Sequence, residues 1–89
     1  MAVYLVTYDL NEQDKNYPGV IAKLKTSTNW CKPLLSTWLI STNETANALS
    51  ARVKNKMDTN DYLLVIEVRA NYQGWLHNSH WDWIRTHLG

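Results

Sequence analysis

The sequence has no phenylalanine, and its 89 residues include only one cysteine, two prolines and three glycines. A disulfide needs two cysteines, so Cys31 forms none within the chain, and a lone free thiol is typical of a reducing compartment. We expect Cys31 to be a small buried hydrophobic residue. The glycines (Gly19, Gly74 and Gly89) are too far apart for a Walker loop or a dinucleotide-binding fingerprint, and no nucleophile elbow is present.

An excess of charge of one sign is also missing. Nine basic and eight acidic residues give a formal net charge of +1. Non-specific nucleic-acid binding depends on neutralising several phosphates, so the net charge gives it no support, although a local basic patch is still compatible with it. The apolar run at the start of the sequence stops at Asp9, which is too short for a membrane span or a standard signal peptide. We therefore expect a cytoplasmic protein.

Five tryptophans and five tyrosines stand in place of phenylalanine. Their rings are apolar at one end and polar at the other, which suits partly solvated positions such as interfaces. With 45% hydrophobic and 19% charged residues, the composition is that of one globular domain. A domain of this length buries too little surface to be very stable alone, so burial against a partner would stabilise it.

Two apolar segments predict strands. Residues 2–10 and 62–69 are rich in β-branched and aromatic side chains, and both are apolar on both faces, as in central strands. Residues 30–41 are also extended but contain Pro33, which predicts two short strands with a bend near residues 33–35, or one kinked strand.

Helical spacing appears twice between these segments, after a polar loop at residues 11–16. One apolar stripe consists of Tyr17, Val20, Ile21 and Leu24. The other consists of Ala46, Leu49, Val53 and Met57. Ser41 and Glu44 fit a capping box before the second helix, which should end near Met57.

This order predicts an α+β fold: a ferredoxin-like antiparallel sheet, over residues 1–69, with two helices on one face. Because two helices cover one face only, the other apolar face needs a second cover. A symmetric partner subunit is the economical answer. The alternative is the tryptophan-rich tail, residues 70–89, in which Trp81, Ile84 and Leu88 could line a short helix.

Short motifs in this order of elements resemble the Cas-two family, the small ferredoxin-fold subunits of CRISPR spacer acquisition. The motifs are Tyr8-Asp9 closing the first strand, Asn29-Trp30, a strand beginning at Ser36, and Asp61-Tyr62-Leu63-Leu64-Val65-Ile66. The resemblance covers roughly residues 2–69. It extends to the virulence-associated protein D ribonucleases and to small bacterial and phage proteins.

The resemblance implies a homodimer with its sheets packed face to face, and a divalent cation such as Mg²⁺ held at the dimer interface by the aspartate that closes the first strand. Asp9 occupies that place, and Ser36, which matches the family's strand serine, is a candidate for nucleic-acid contact. The implied activity is metal-dependent endonuclease cleavage, of RNA more than of DNA. Where family members carry arginines after the first strand, this chain has Asn11, Glu12 and Asp14, which favours a stand-alone role over a core CRISPR role.

Each candidate residue also has a structural interpretation. Asp9 could cap the following loop instead of binding metal. The basic residues of the two helices could contact phosphates or form an ordinary solvated face; they are Lys23, Lys25, Arg52, Lys54 and Lys56. We predict an interface role for Tyr4, Tyr8, Trp38, Trp75 and Trp81, of which the tail tryptophans could instead stack on unpaired bases. His77 and His80 have no cysteine partners, and we expect exposed tail histidines, not metal ligands.

Two functional hypotheses follow. In the first, a Cas-two-like homodimer binds nucleic acid and cleaves it with a metal at Asp9. In the second, the chain is a non-catalytic interaction module whose aromatic tail binds a protein partner or a small ligand.

Overall fold

The computed structural model of the protein describes residues 1–11 and 17–89. Beyond Asn11, the predicted loop at residues 11–16 lies outside the described residues, as do Glu12 and Asp14 and the side chain of Tyr17. The elements, in chain order, are β1 (Ala2–Asp9), α1 (Tyr17–Lys25), β2 (Asn29–Leu34), β3 (Thr37–Thr42), α2 (Ala46–Lys54), β4 (Tyr62–Glu67) and α3 (Asn78–Leu88). In the described part of the chain, no helix is long and apolar enough to cross a membrane.

The four strands form one antiparallel sheet in the order β2-β3-β1-β4. The prediction of a small α+β fold is confirmed, and the element order and sheet are compatible with a ferredoxin-like fold. Paired residues share a face, and one row crosses all four strands through Leu34, Thr37, Thr7 and Leu64. This register fixes which side chains meet on each side of the sheet.

Residues 29–42 form two strands joined by a tight turn, as the position of Pro33 predicted. Pro33 lies in edge strand β2, where the pairing with β3 is irregular between Cys31 and Leu34. An edge strand with a bulge tolerates proline because no neighbouring strand needs its missing N–H. The turn is Leu35–Ser36, so the strand expected to begin at Ser36 begins at Thr37 instead.

One face of the sheet, the helix face, packs against α1 and α2. Its buried core combines alternate strand residues with the two predicted helical stripes: Tyr4, Val6, Tyr8, Val20, Leu24, Trp38, Ile40, Leu49 and Val53. The predicted capping box is not used at the start of α2. The N-cap is Thr45, whose side chain accepts from the Ala48 N–H at 3.1 Å, while Ser41 is buried in β3.

The opposite side, the second face, is partly covered by α3. A second core cluster joins Val3, Cys31 and Leu39 of the sheet to Ile84 of the helix, with Trp81 and Leu88 packed against it. Of the two predicted covers for this face, the tail occupies the β2 and β3 half. Burial raises the pKa of the Cys31 thiol to about 11, as expected for a small buried residue.

The β4 half of the second face is bare. Tyr62, Leu64 and Ile66 are 73%, 52% and 51% exposed. Residues 62–69 were predicted to be a central strand, but β4 is an edge strand. A central strand and an edge strand with an uncovered apolar face can both be apolar on both faces, so this pattern does not distinguish them.

Candidate functional site

Asp9 and Ser36 lie at the same end of the sheet, where the residues before Asp9 contact Ser36. The Tyr8 N–H donates to the Ser36 carbonyl at 3.3 Å, and the Thr7 hydroxyl donates to the same carbonyl at 3.1 Å. Ser36 has a φ of 56°, in the left-handed region that non-glycine residues seldom adopt. Beside this corner lies a shallow depression of about 270 Å³ lined by residues of β1 and β4, including Asp9, Tyr62 and Leu64.

The Asp9 carboxylate is exposed, and among the described residues it has no hydrogen-bond or ion-pair partner. The loop-capping role considered for Asp9 belongs instead to Asp61. The Asp61 carboxylate accepts from the Asn11 N–H at 2.7 Å and from the Asp58 N–H at 2.8 Å. It thereby ties the start of β4 to the end of β1.

One exposed carboxylate is enough to begin a Mg²⁺ site, because this ion keeps several waters and takes one or two protein carboxylates together with substrate phosphates. In the described ranges no three histidine, cysteine, aspartate or glutamate side chains lie close enough together to hold a metal. Asp9 could therefore serve as a single ligand from one chain, with further ligands coming from a second copy or a substrate.

Arg52, predicted to contact nucleic acid, is engaged within the protomer. Its Nε and one terminal nitrogen bind the two Glu44 carboxylate oxygens at 2.9 and 3.0 Å. The remaining contacts go to the Lys23 carbonyl and to the hydroxyls of Thr26 and Ser27, at 2.8–2.9 Å. A guanidinium has five N–H donors, and five contacts occupy them. Arg52 fastens α2 to the end of α1 and has no donor left for a phosphate.

The lysines predicted to contact nucleic acid lie apart from Asp9. Lys23 and Lys25 belong to α1, and the Lys25 ammonium lies over the Trp30 ring, 5.5 Å from its centroid. Lys56, beyond the end of α2, is exposed beside Gly19. These residues are on the helix side, while the register of Asp9 with Tyr62 assigns Asp9 to the second face. The structure does not bring the basic residues and Asp9 onto one surface.

The five aromatic residues predicted at an interface divide into two groups. Tyr4, Tyr8 and Trp38 are buried beneath α1 and α2, where the Trp38 indole N–H donates to the Tyr8 hydroxyl at 3.1 Å and the Tyr4 hydroxyl donates to the Glu44 carbonyl at 2.8 Å. These three stabilise the protomer and present no surface to a partner. Trp75 is 96% exposed, and Trp81 is partly buried.

Trp75 and Trp81 border a shallow groove of about 490 Å³, here called the tail groove. It is lined by Tyr72, Gln73, Gly74, Trp75, Leu76, Asn78, Trp81 and Arg85. Tyr72 and Trp81 stack with their ring centroids 5.9 Å apart. The Arg85 guanidinium pairs with the Asp82 carboxylate at 2.6 Å. The groove thus combines a stacked aromatic wall, one exposed tryptophan and side-chain amides.

The comparisons with known proteins agree with the fold and go no further. The crystal structure of the hypothetical protein TT1823 from Thermus thermophilus is similar, with a TM-score of 0.63 at 20% identity, covering 84% of this chain and 93% of that one. At this identity the similarity concerns the fold alone. No protein-family model matches the chain. No curated protein matches it either. The Cas-two resemblance therefore remains a prediction.

Proposed function

We propose that this chain is a non-catalytic interaction module whose tail groove binds an extended peptide segment of a protein partner. The observation that carries the proposal is the 96% exposure of Trp75 beside the stacked pair Tyr72 and Trp81. An exposed tryptophan leaves a large apolar surface in water, and burying it against a partner is favourable.

The lining of the tail groove suits an extended peptide. Aromatic walls hold polyproline-like segments through their flat rings, and such segments lose little entropy on binding. The amides of Gln73 and Asn78 line the same groove and can pair with peptide N–H and carbonyl groups. The net charge of +1 agrees with recognition by shape and apolar contact more than by a long-range field.

The test is selection of a displayed peptide library on the purified full chain, followed by calorimetry with a selected peptide. We expect Trp75→Ala to weaken binding by about 2 kcal/mol, or about thirtyfold, as for a central tryptophan in an interface. Trp30→Ala is the matched control, because Trp30 is also at the surface but lies on the helix face, next to Lys25. Equal loss in both variants, or no peptide selected over background, would refute the proposal.

A second candidate function is metal-dependent binding or cleavage of nucleic acid by a Cas-two-like homodimer in a stand-alone setting. The observation in its favour is the exposed Asp9 carboxylate, which no other described residue engages. Bound there, Mg²⁺ would supply an activated water for phosphodiester cleavage. Phosphates could contact the ammonium groups of Lys23, Lys25 and Lys56. The Arg52 guanidinium has no free donor for a phosphate.

This candidate is tested with labelled RNA and DNA, with and without Mg²⁺. Asp9→Ala should abolish cleavage, whereas Asp82→Ala, which removes another exposed negative charge, on α3, should leave it intact. If cleavage is absent throughout, or survives in both variants, Asp9 is not a metal ligand for this reaction. Retention on a polyanion column that falls steeply with salt would show phosphate binding separately.

A further inference from the structure

The two edges of the sheet are protected to very different degrees. Edge strand β2 contains Lys32 and Pro33, and its pairing with β3 is irregular there. Lysine, proline and bulges are the devices by which proteins prevent edge strands from pairing with another chain. Edge strand β4 has none of them: its six residues, YLLVIE, pair regularly with β1 and carry one charge, at Glu67. No other described segment pairs with the outer side of β4, so this edge is open to a further strand.

Two backbone hydrogen bonds establish which groups of β4 point outwards. The Val68 N–H donates to the Val3 carbonyl at 2.9 Å, whereas the Tyr8 N–H donates towards the β3 side, to Ser36. The odd-numbered residues of β1 therefore bond to β4, and their partners Tyr62, Leu64 and Ile66 point their N–H and C=O groups inwards. By alternation, the main-chain groups of Leu63, Val65 and Glu67 face the open edge.

The side chains beside this edge form an apolar strip. Tyr62, Leu64 and Ile66 project from the second face at the half that α3 leaves bare. An open edge and an exposed apolar strip on the same strand offer a partner hydrogen bonds and burial together, which is the arrangement used when one chain adds a strand to another.

We propose that the occupant of this edge is a second copy of the chain, paired antiparallel through β4 about a two-fold axis at Val65. In this register Val65 faces Val65 of the second copy, and Leu63 faces Glu67 of the second copy. These pairs use every outward-facing group of the strand and form about six main-chain hydrogen bonds. Leu64 then lies opposite Ile66 of the second copy, so the two apolar strips merge into one.

Charge favours this register over its neighbours. It brings Asp61 of one copy opposite Arg69 of the other at both ends of the junction. A shift of two residues in one direction would set Asp61 opposite Glu67, and two carboxylates facing each other destabilise a strand pair. A shift of two residues in the other direction would set Asp61 opposite Asn71 and lose the attraction to Arg69. A shift of one residue would set the outward-facing main-chain groups of one copy opposite residues whose groups point inwards, and the hydrogen bonds of the junction would be lost. The sequence of β4 and its flanks therefore favours antiparallel pairing of the two copies centred on Val65.

This junction is independent of the tail groove, and it separates the two copies of Asp9. Asp9 is level with Tyr62, three residues from the axis, on the next strand in. At about 3.3 Å per residue and about 4.8 Å between strands, the two Asp9 residues lie about 25 Å apart. They cannot share one metal ion in this dimer.

The first experiment is the mass of the full chain in solution, measured by light scattering over a range of concentrations. We expect a dimer for the natural sequence and a monomer for Leu64→Lys, because Leu64 is exposed in the protomer but close to the axis of the dimer. Leu35→Lys is the control: it adds the same charge at an 84% exposed position of the hairpin, and it should remain dimeric. A monomeric natural chain, or equal behaviour of the two variants, would overturn the proposal.

The register is tested by oxidative cross-linking with Cys31→Ala as the background. Opposed residues of a non-hydrogen-bonded pair have Cα atoms about 4.5 Å apart, within reach of a disulfide. A mixture of Leu64→Cys and Ile66→Cys should give a heterodimeric disulfide, whereas either variant alone should give little. Cross-linking of Leu64→Cys with itself or of Ile66→Cys with itself would show a two-residue shift in one direction or the other, and absence of all cross-links would refute pairing through β4.

Discussion

At the scale of the residue, Arg52 joins three segments of the chain through one guanidinium group. It binds Glu44 ahead of α2, the Lys23 carbonyl at the end of α1, and the hydroxyls of Thr26 and Ser27. Its hydrogen bonds to Glu44 are the main cause that lowers the pKa of that carboxyl from its ordinary value of 4.5. A side chain that appeared from the sequence to be a candidate phosphate ligand is thus a clamp within the protomer.

Because of this clamp, the free energy of unfolding should decrease as the pH falls into the acidic range. Because the pKa of Glu44 is lower in the folded protein, its contribution to the free energy of unfolding is present above the ordinary pKa and is lost as the pH falls through the lower, folded value. We expect Arg52→Gln to destabilise the fold by about 2 kcal/mol at neutral pH. Part of that loss should disappear between about pH 5 and pH 3.

Chemical denaturation of the natural chain, Arg52→Gln and Arg52→Lys over this pH range measures both effects. The lysine control keeps the charge but cannot reproduce the planar fork, so it should fall between the other two. A pH dependence identical in all three would show that Arg52 does not set the pKa of Glu44.

Ser36 gives a second prediction at this scale. Its φ of 56° is unfavourable for a residue with a Cβ, by about 1–2 kcal/mol, and glycine adopts it freely. Since the contacts of Ser36 described above use its carbonyl, we expect Ser36→Gly to raise the free energy of unfolding by about 0.5–1 kcal/mol after the entropic cost of glycine. Thermal unfolding of Ser36→Gly beside Ser36→Ala is the measurement, and a stabilised alanine variant would contradict this cause.

At the scale of the element, hydrophobic periodicity predicted the helices best where the apolar stripe of the helix packs against the sheet. The α1 stripe and the α3 stripe both appear as predicted, with Leu24 and Ile84 buried. The start of α2 could not be predicted from Ser41 and Glu44, because Thr42 and Glu44 bond to each other at the end of β3. The edge position of β4 escaped prediction because pairing partners are set by topology and not by local sequence.

The docking of α3 can be followed through the single cysteine. Cys31 lies in the same cluster as Ile84, and its thiol is protected both by burial and by a pKa raised to about 11. Ile84→Ala removes about 2–5 kcal/mol of packing at that cluster. We expect it to increase the rate of thiol labelling at pH 8 at least tenfold by freeing α3 from the sheet.

The matched control is Thr86→Ala, which changes an exposed position of the same helix. Circular dichroism should show that the sheet persists in both variants. Unchanged labelling in Ile84→Ala would mean that α3 is not what shields Cys31.

At the scale of the whole molecule, the two proposed dimers differ in one distance. Face-to-face sheets sharing a metal would bring both Asp9 residues to within about 5 Å of one ion, whereas pairing through β4 separates them by about 25 Å. Spin labels at Asp9→Cys, with Cys31→Ala, should therefore give a distance distribution centred in the range of two to three nanometres. A distribution well below that range would favour the face-to-face arrangement.

The sequence predicted which types of residue line the tail groove better than it predicted which of those residues lie there. That Trp75 and Trp81 would matter for contacts followed from their chemistry, but the same chemistry applied to Tyr4, Tyr8 and Trp38, which are buried. Only the register of the sheet and the path of the tail separate the two groups. The role of Asp61 was hidden for a related reason, since its partner Asn11 is fifty residues away along the chain.

The position of α3 in the chain has a consequence for synthesis. The helix that covers Val3, Cys31 and Leu39 is translated after all four strands, about twenty residues beyond β4. Until α3 docks, the sheet of a newly made chain carries an uncovered apolar face beside an open edge, so the interval before docking is when the chain is most exposed to misassembly.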